Sequence, residues 1–271
     1  MYSPCLKFVA GFLLLVSAVG ADAQTRELRV CADPDNIPFS SRDQTGFENR
    51  IAALVAHDLD ARLIFIWQRM GRGFVRAYLD NGQCDLLVGI PQNYRPVLST
   101  RPYYRSTYVF VARPGEPAIS SLDSSTLHDL KIGVQVVEEE YTPPGEALAR
   151  RGLQAAIVGF DTTGDGADSI VRAVADHKVD LAIVWGPLAG YFATKAGQQL
   201  RITPVEPEVD PSGLPFTFAI SMGVRKGNLA LRDQLEKILS QRAPDIRAIL
   251  DEYGVPQLPL ATPRDSDGVA N

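Results

Sequence analysis

The chain has 271 residues, with 27 lysines and arginines against 32 aspartates and glutamates, and a formal net charge of −5. That mild acidic surplus argues against nucleic acid as a partner, because binding phosphates calls for a basic surface. With 45% hydrophobic residues, the chain is long enough for one large core or two smaller ones.

At the start, Lys7 precedes an apolar run from Phe8 to Val19 that is too short for a permanent membrane span. The run ends in Ala21-Asp22-Ala23, the small-x-small pattern that a signal peptidase accepts. Residues 1–23 are therefore predicted to be a signal peptide cleaved near Ala23, giving an exported protein whose mature part has no membrane insertion. Cys5 lies before the apolar run rather than just after it, so no lipid anchor is expected. Export would leave Cys31 and Cys84 in an oxidising compartment. A disulfide between them is the expected state, and two separately buried thiols are the alternative.

Short β-rich runs then alternate with segments of helical period: a strand at Leu28–Ala32, a helix at Asn49–Leu59, a strand at Leu63–Trp67, a helix at Phe74–Leu79 and a strand at Asp85–Ile90. Apolar strands such as Leu86-Leu87-Val88 suit a parallel sheet covered on both faces, with the helices as crossovers. In such a lobe the first strand lies beside the third, which brings Cys31 toward Cys84. Tyr108–Ala112, followed by Arg113-Pro114-Gly115, reads as a strand leaving this lobe. The β-α-β-α-β order repeats with strands at Lys131–Val136, Ala155–Phe160 and Asp180–Trp185, and helices at Gly145–Arg151 and Asp168–His177. A second exit strand, Phe216–Val224, leads into helices at Asn228–Arg242 and Asp245–Tyr253, and Pro256, Pro259 and Pro263 end regular structure. The expected architecture is α/β, with two doubly wound lobes joined by a two-strand hinge. Lobe 1 takes residues 24–113 and 221–260, lobe 2 takes 114–220, and 261–271 form a disordered tail.

Four phrases carry a resemblance: Leu28-Arg29-Val30-Cys31-Ala32-Asp33-Pro34, Gly46-Phe47-Glu48-Asn49-Arg50-Ile51-Ala52, Thr100-Arg101-Pro102-Tyr103-Tyr104-Arg105-Ser106 through Phe110-Val111, and Val184-Trp185-Gly186-Pro187-Leu188-Ala189-Gly190-Tyr191. In this order they resemble one branch of the type II periplasmic binding proteins, the quinoprotein-dehydrogenase-associated proteins MxaJ and XoxJ. The likeness runs over nearly the whole mature chain. It implies the type II periplasmic binding protein fold and a non-catalytic periplasmic accessory. The implied partner is a PQQ-dependent methanol or alcohol dehydrogenase of methylotrophic oxidation, together with its cytochrome c. No cofactor of the chain's own is implied.

Ligands of such folds sit between the lobes at the carboxyl ends of the strands. The candidate cleft residues there are Asp33, Asn36, Phe39, Trp67, Arg69, Tyr94 and Arg95 from the first half, Tyr103, Tyr104 and Arg105 before the hinge, and Glu138, Tyr141 and Trp185 from the second. Amino-acid-binding members of the wider family hold the ligand carboxylate with an arginine after the third strand and with N–H groups at a helix start in the second lobe. An acid after that lobe's last strand meets the ammonium. Arg95 stands near the first position but closer to Pro102-Tyr103-Tyr104 than the family spacing, and it reads equally as a solvated loop residue. Glu138, Glu139 and Glu140 would repel a carboxylate, and Trp185-Gly186-Pro187 replaces the acid, so amino-acid binding is expected to be weak or absent. Trp185 and Tyr141 read as an aromatic cleft wall, or Trp185 as a plug in a lobe that does not open. Tyr103-Tyr104-Arg105 reads as packing or, if exposed, as a contact cluster for a ligand or partner.

Asp161–Asp168 begins like a calcium loop, but Arg172 stands where the bidentate glutamate belongs, so it reads as a turn before a helix capped by Asp168. His57, His128 and His177 have no second ligand at a metal spacing, and no nucleophile–base pair is evident. The alternatives to the accessory reading are a receptor for a small polar solute serving an ABC transporter, and an enzyme such as a cyclohexadienyl dehydratase built on the same scaffold.

Overall fold

A computed structural model describes residues 26–71, 73–137, 139–195 and 200–260. The expected signal peptide at 1–23, the expected tail at 261–271 and the candidate residue Glu138 lie outside the described residues. Strand β1 (Glu27–Ala32) pairs in parallel with β2 (Arg62–Trp67) on one side and β3 (Leu86–Pro91) on the other. Because side chains alternate along a strand, Leu28 and Val30 face one layer and Cys31 the other. Helix α1 (Phe47–Asp58) covers the first layer with Phe47, Ile51 and Val55, all fully buried. Each such side chain contributes roughly 1.5–3 kcal/mol by leaving water. The helix starts two residues before the expected Asn49, whose side-chain oxygen accepts the N–H groups of Ser41 (2.9 Å) and Gly46 (3.2 Å) and so ties the entering loop to the first turn.

The opposite layer is smaller. A π-helical turn at Val75–Asp80 replaces the α-helix expected over Phe74–Leu79 and packs Val75 and Leu79 beside Leu87 and Ile90. Cys31 and Cys84 are joined there by a disulfide, with their Cα atoms 5.5 Å apart. The register that sets Cys31 opposite Leu87 makes this possible, as the strand order implied.

A nine-residue strand, β4 (Tyr104–Ala112), leaves this half, beginning earlier than expected. The second half follows with β5 (Ile132–Val137), α2 (Pro143–Arg150), β6 (Ile157–Asp161), α3 (Ser169–Ala175) and β7 (Leu181–Trp185). Asp168 occupies the N-cap place of α3, but its carboxylate pairs with Arg172 at 3.0 Å instead of capping the helix. Helix α4 (Gly186–Lys195) and strand β8 (Arg201–Pro204) come next and were not anticipated. Gly186-Pro187 reads locally as a turn, yet proline is tolerated in a first helical turn, where its missing N–H has no bond to lose.

The chain returns on β9 (Thr217–Val224) and ends in α5 (Leu229–Gln241) and α6 (Ala243–Glu252), which pack against α1. The first half of β4 pairs antiparallel with β9, and its second half with β7 and β8. One mixed sheet of order β6-β5-β7-β4-β9-β3-β1-β2 therefore runs through both halves, and β4 and β9 form the joint. The fold is a two-lobe α/β architecture whose sheet carries helices on both faces.

Candidate functional site

The parallel strands of both halves point their carboxyl ends at the space between the lobes. In lobe 1 the end of β1 is tied down locally: Asp33 accepts the N–H groups of Asp35 (3.0 Å) and Met70 (3.4 Å). Asn36 sits in a small antiparallel pair with Ser40. Trp67 stacks on Phe65 at 4.8 Å, and the Arg42 guanidinium lies 5.8 Å from its ring centre. Arg69, Tyr94 and Arg95 stand in solvent, with Tyr94 41% exposed.

Tyr104 is only 3% exposed and packs edge-on against Phe47 at 6.3 Å, so it does not belong to an exposed cluster. The reason is that β4 begins at Tyr104, and the strand pleat turns that side chain into the lobe-1 core. Tyr103 packs at its side, 5.2 Å between ring centres, with a buried hydroxyl. Arg105, half-buried, is paired with Glu208.

Sequence reasoning passed over Glu48. Its position at the start of α1 turns its carboxyl inward against Gly89, where a Cβ would overlap it. Burial pushes this carboxyl up to about 8 and, with Glu48 nearby, holds the phenols of Tyr103 and Tyr104 well above their usual value. The available signal was an acid in the first turn of a helix between the apolar Phe47 and Ile51, a place that is rarely charged when it faces a core.

In lobe 2 the strand ends bind one another. The buried Gln135 side chain donates to Thr162 Oγ1 at 2.9 Å and accepts the Trp185 N–H, while its backbone oxygen accepts the Thr142 hydroxyl at 3.0 Å. One amide thus joins the ends of β5, β6 and β7. Helix α2 begins with Pro143 and Pro144, which have no N–H to offer an anion. Gly145 is the first residue of the helix with an N–H.

Trp185 is half-buried, 5.3 Å from Tyr108 and 5.7 Å from Phe218 between ring centres, and it touches the apolar clusters of both lobes. Burial also pushes the Tyr108 phenol up to about 12. Tyr141, 44% exposed, pairs back on β5 opposite Val136, with Glu140 opposite Val137, which is 58% exposed, and its ring lies over Gly145.

The lobes touch across the cleft. Phe39 packs against the cores of both, and a Cβ at Gly164 would stand 2.9 Å from Asp35 Oδ2 and 3.5 Å from Arg69 Nη2. Grooves of about 690 and 490 Å³ lie elsewhere, on the outer helical face of lobe 1, lined in part by Arg26, Arg29, Arg50 and Arg242. The Asp161 carboxylate accepts the Thr163 N–H and hydroxyl, a local turn. Among the described residues no three His, Cys, Asp or Glu side chains converge as a metal site.

The profile of the bacterial extracellular solute-binding proteins, family 3, matches residues 28–255 of this chain. Protein MoxJ of Paracoccus denitrificans is 31% identical over 268 residues, which are 92% of this chain and 96% of that protein. The crystal structure of MxaJ from Methlophaga aminisulfidivorans MPT is similar with a TM-score of 0.75 at 27% identity, covering 85% of this chain and 100% of that one. The periplasmic binding protein XoxJ from Methylobacterium extorquens AM1 is similar with a TM-score of 0.70 at 38% identity, covering 86% and 100%.

Proposed function

We propose that this chain, which belongs to family 3 of the bacterial extracellular solute-binding proteins, is a non-catalytic periplasmic accessory that binds and assists a PQQ-dependent methanol or alcohol dehydrogenase. The observation that carries this reading is the likeness to MoxJ over 92% of the chain. The cleft supports it. Where a solute receptor needs open donors, Gln135, Pro143, Pro144 and Trp185 leave a filled and internally bonded surface.

Docking would use the cleft rim rather than the cleft floor. Met70 and Tyr94 follow lobe-1 strands, Val137 and Tyr141 form the rim of lobe 2, and all four are exposed. Arg69 and Arg95 lie among the lobe-1 residues. Tyrosine and arginine are the usual anchors of a protein interface, and a standard one buries about 1,600 Å².

The test uses the mature chain and purified dehydrogenase, with and without its quinone. Binding at micromolar concentration or tighter is expected, stronger for the cofactor-free enzyme. The double substitution Tyr94→Ala, Tyr141→Ala should weaken it about thirtyfold, the effect of about 2 kcal/mol lost at an anchor, with an unchanged melting temperature. If neither enzyme form binds, the reading is wrong. Micromolar binding of a standard amino acid in calorimetry would point to a solute receptor instead.

A further inference from the structure

We infer that the two lobes are held as one closed body by a joint between α4 and the segment after α6, so that this protein does not open and close about its hinge. Helix α6 packs on α1 in lobe 1, while α4 packs on β4, β7 and β8 in lobe 2. The two elements meet backbone to backbone at Gly190 and Gly254. A Cβ on Gly190 would overlap the Gly254 carbonyl oxygen, and one on Gly254 would stand 2.9 Å from the Gly190 oxygen. Gly254 also has φ +67, a left-handed conformation that favours glycine. Close approach of this kind leaves no room for sliding.

Around this contact a row of five rings crosses from one lobe to the other. Phe39 lies 5.3 Å from Phe47, Phe47 is 5.8 Å from Tyr253, Tyr253 stacks on Tyr191 at 5.6 Å and 15°, and Tyr191 meets Phe192 at 5.0 Å. Phe39 and Phe192, the two ends of the row, both pack on the same lobe-2 cluster. Aromatic pairs in these geometries add favourable contact beyond the area they bury. Tyr253 is also anchored within lobe 1, because its hydroxyl donates to the Thr45 carbonyl at 2.5 Å.

The segment beyond Gly254 then straps the hinge. The Ser106 hydroxyl donates to the Pro256 carbonyl at 2.6 Å, and the Leu258 N–H donates to the Arg105 carbonyl at 2.8 Å. A hinged receptor needs its few crossing residues free to change backbone angles. Here β4, one of the crossing strands, is bonded along its start by a third run of chain, and the neighbouring helix is seated on a glycine contact.

The inference is independent of any dehydrogenase, and its test needs none. The native cysteines of the mature chain are bonded to each other, so spin labels can be placed at Asp43→Cys in lobe 1 and Gln154→Cys in lobe 2, both exposed positions. Pulsed electron–electron distance measurement on the ligand-free protein should give one narrow distribution. Gly190→Val, which wedges the joint, should at least double its width, and Tyr191→Ala with Tyr253→Ala, which removes the rings without adding bulk, should broaden it as well. A broad or two-population distribution in the unsubstituted protein overturns the inference, even if the variants fail to fold. So does an unchanged narrow distribution in a variant whose circular dichroism shows it folded.

Discussion

At the cleft the two lobes treat the same positions differently. The strand ends of lobe 1 leave Arg69, Tyr94 and Arg95 in solvent, while those of lobe 2 are joined through Gln135, Thr142, Thr162 and the Trp185 backbone. Both interiors carry polar anchors: lobe 1 holds a disulfide, the buried acid Glu48 and the Asn49 amide, and lobe 2 the Gln135 amide and the buried Asp210 paired with Arg151. Side chains in solvent can turn toward a ligand or a partner, whereas groups whose donors and acceptors are already matched lose hydrogen bonds by doing so.

The largest expected effect lies in the anchors of lobe 1. The Cys31–Cys84 link spans a sequence separation of 53 residues. Closing a loop of that size restricts the unfolded chain by roughly 4 kcal/mol in the chain-entropy account. Cys31→Ser with Cys84→Ser should lower stability by about that amount in denaturant titration, and a change under 1 kcal/mol would show that the lobe-1 layer holds without its link.

The next effect depends on pH. Glu48 is raised to about 8 by burial, above the ordinary carboxyl value it has when unfolded. The folded state therefore holds this proton more tightly than the unfolded state does. Its stabilising contribution is complete below the unfolded value and is lost as pH rises toward and through about 8. Between pH 5 and pH 9 the natural chain should lose roughly 3 kcal/mol relative to Glu48→Gln, after allowing for the helix N-terminus that favours the anion. Parallel pH profiles of the two proteins would defeat the assignment.

Gln135→Ala sharpens the comparison from the side of lobe 2. It leaves the Trp185 N–H without its acceptor in a half-buried site and should cost about 2 kcal/mol. The matched change in lobe 1, Tyr94→Ala, should stay within about 0.5 kcal/mol because that ring is in solvent. Equal losses in thermal melts of the two variants would erase the distinction between a bonded and an open strand end.

Much of this could be read before the fold was known, where the signal was local. The strand at Leu28–Ala32, the repeat of β-α-β-α-β and the two strands of the joint follow from periodicity and from punctuation by proline and glycine. Boundaries moved by a few residues, and at β4 the shift mattered, since an earlier start carried Tyr104 into the core. Helix α4 was missed because Gly186-Pro187 resembles a turn to any local rule. For the site, the resemblance led to the expectation that Glu138, Glu139, Glu140 and Trp185 stand where an amino-acid receptor keeps hydroxyls and an acid. It could not indicate that Trp185 would fill the space between Tyr108 and Phe218.

The chain by itself determined most of the order of its elements and its family, and it favoured the pairing of Cys31 with Cys84, because these rest on patterns within a few residues or on a register that the pattern implies. The tertiary structure alone decided which polar groups are spoken for. Glu48 meets Gly89, Gln135 meets Thr162 and Trp185, and Gly190 meets Gly254. Each of these contacts joins residues more than twenty positions apart, and each depends on a separation of a few ångströms that only the packed lobes set.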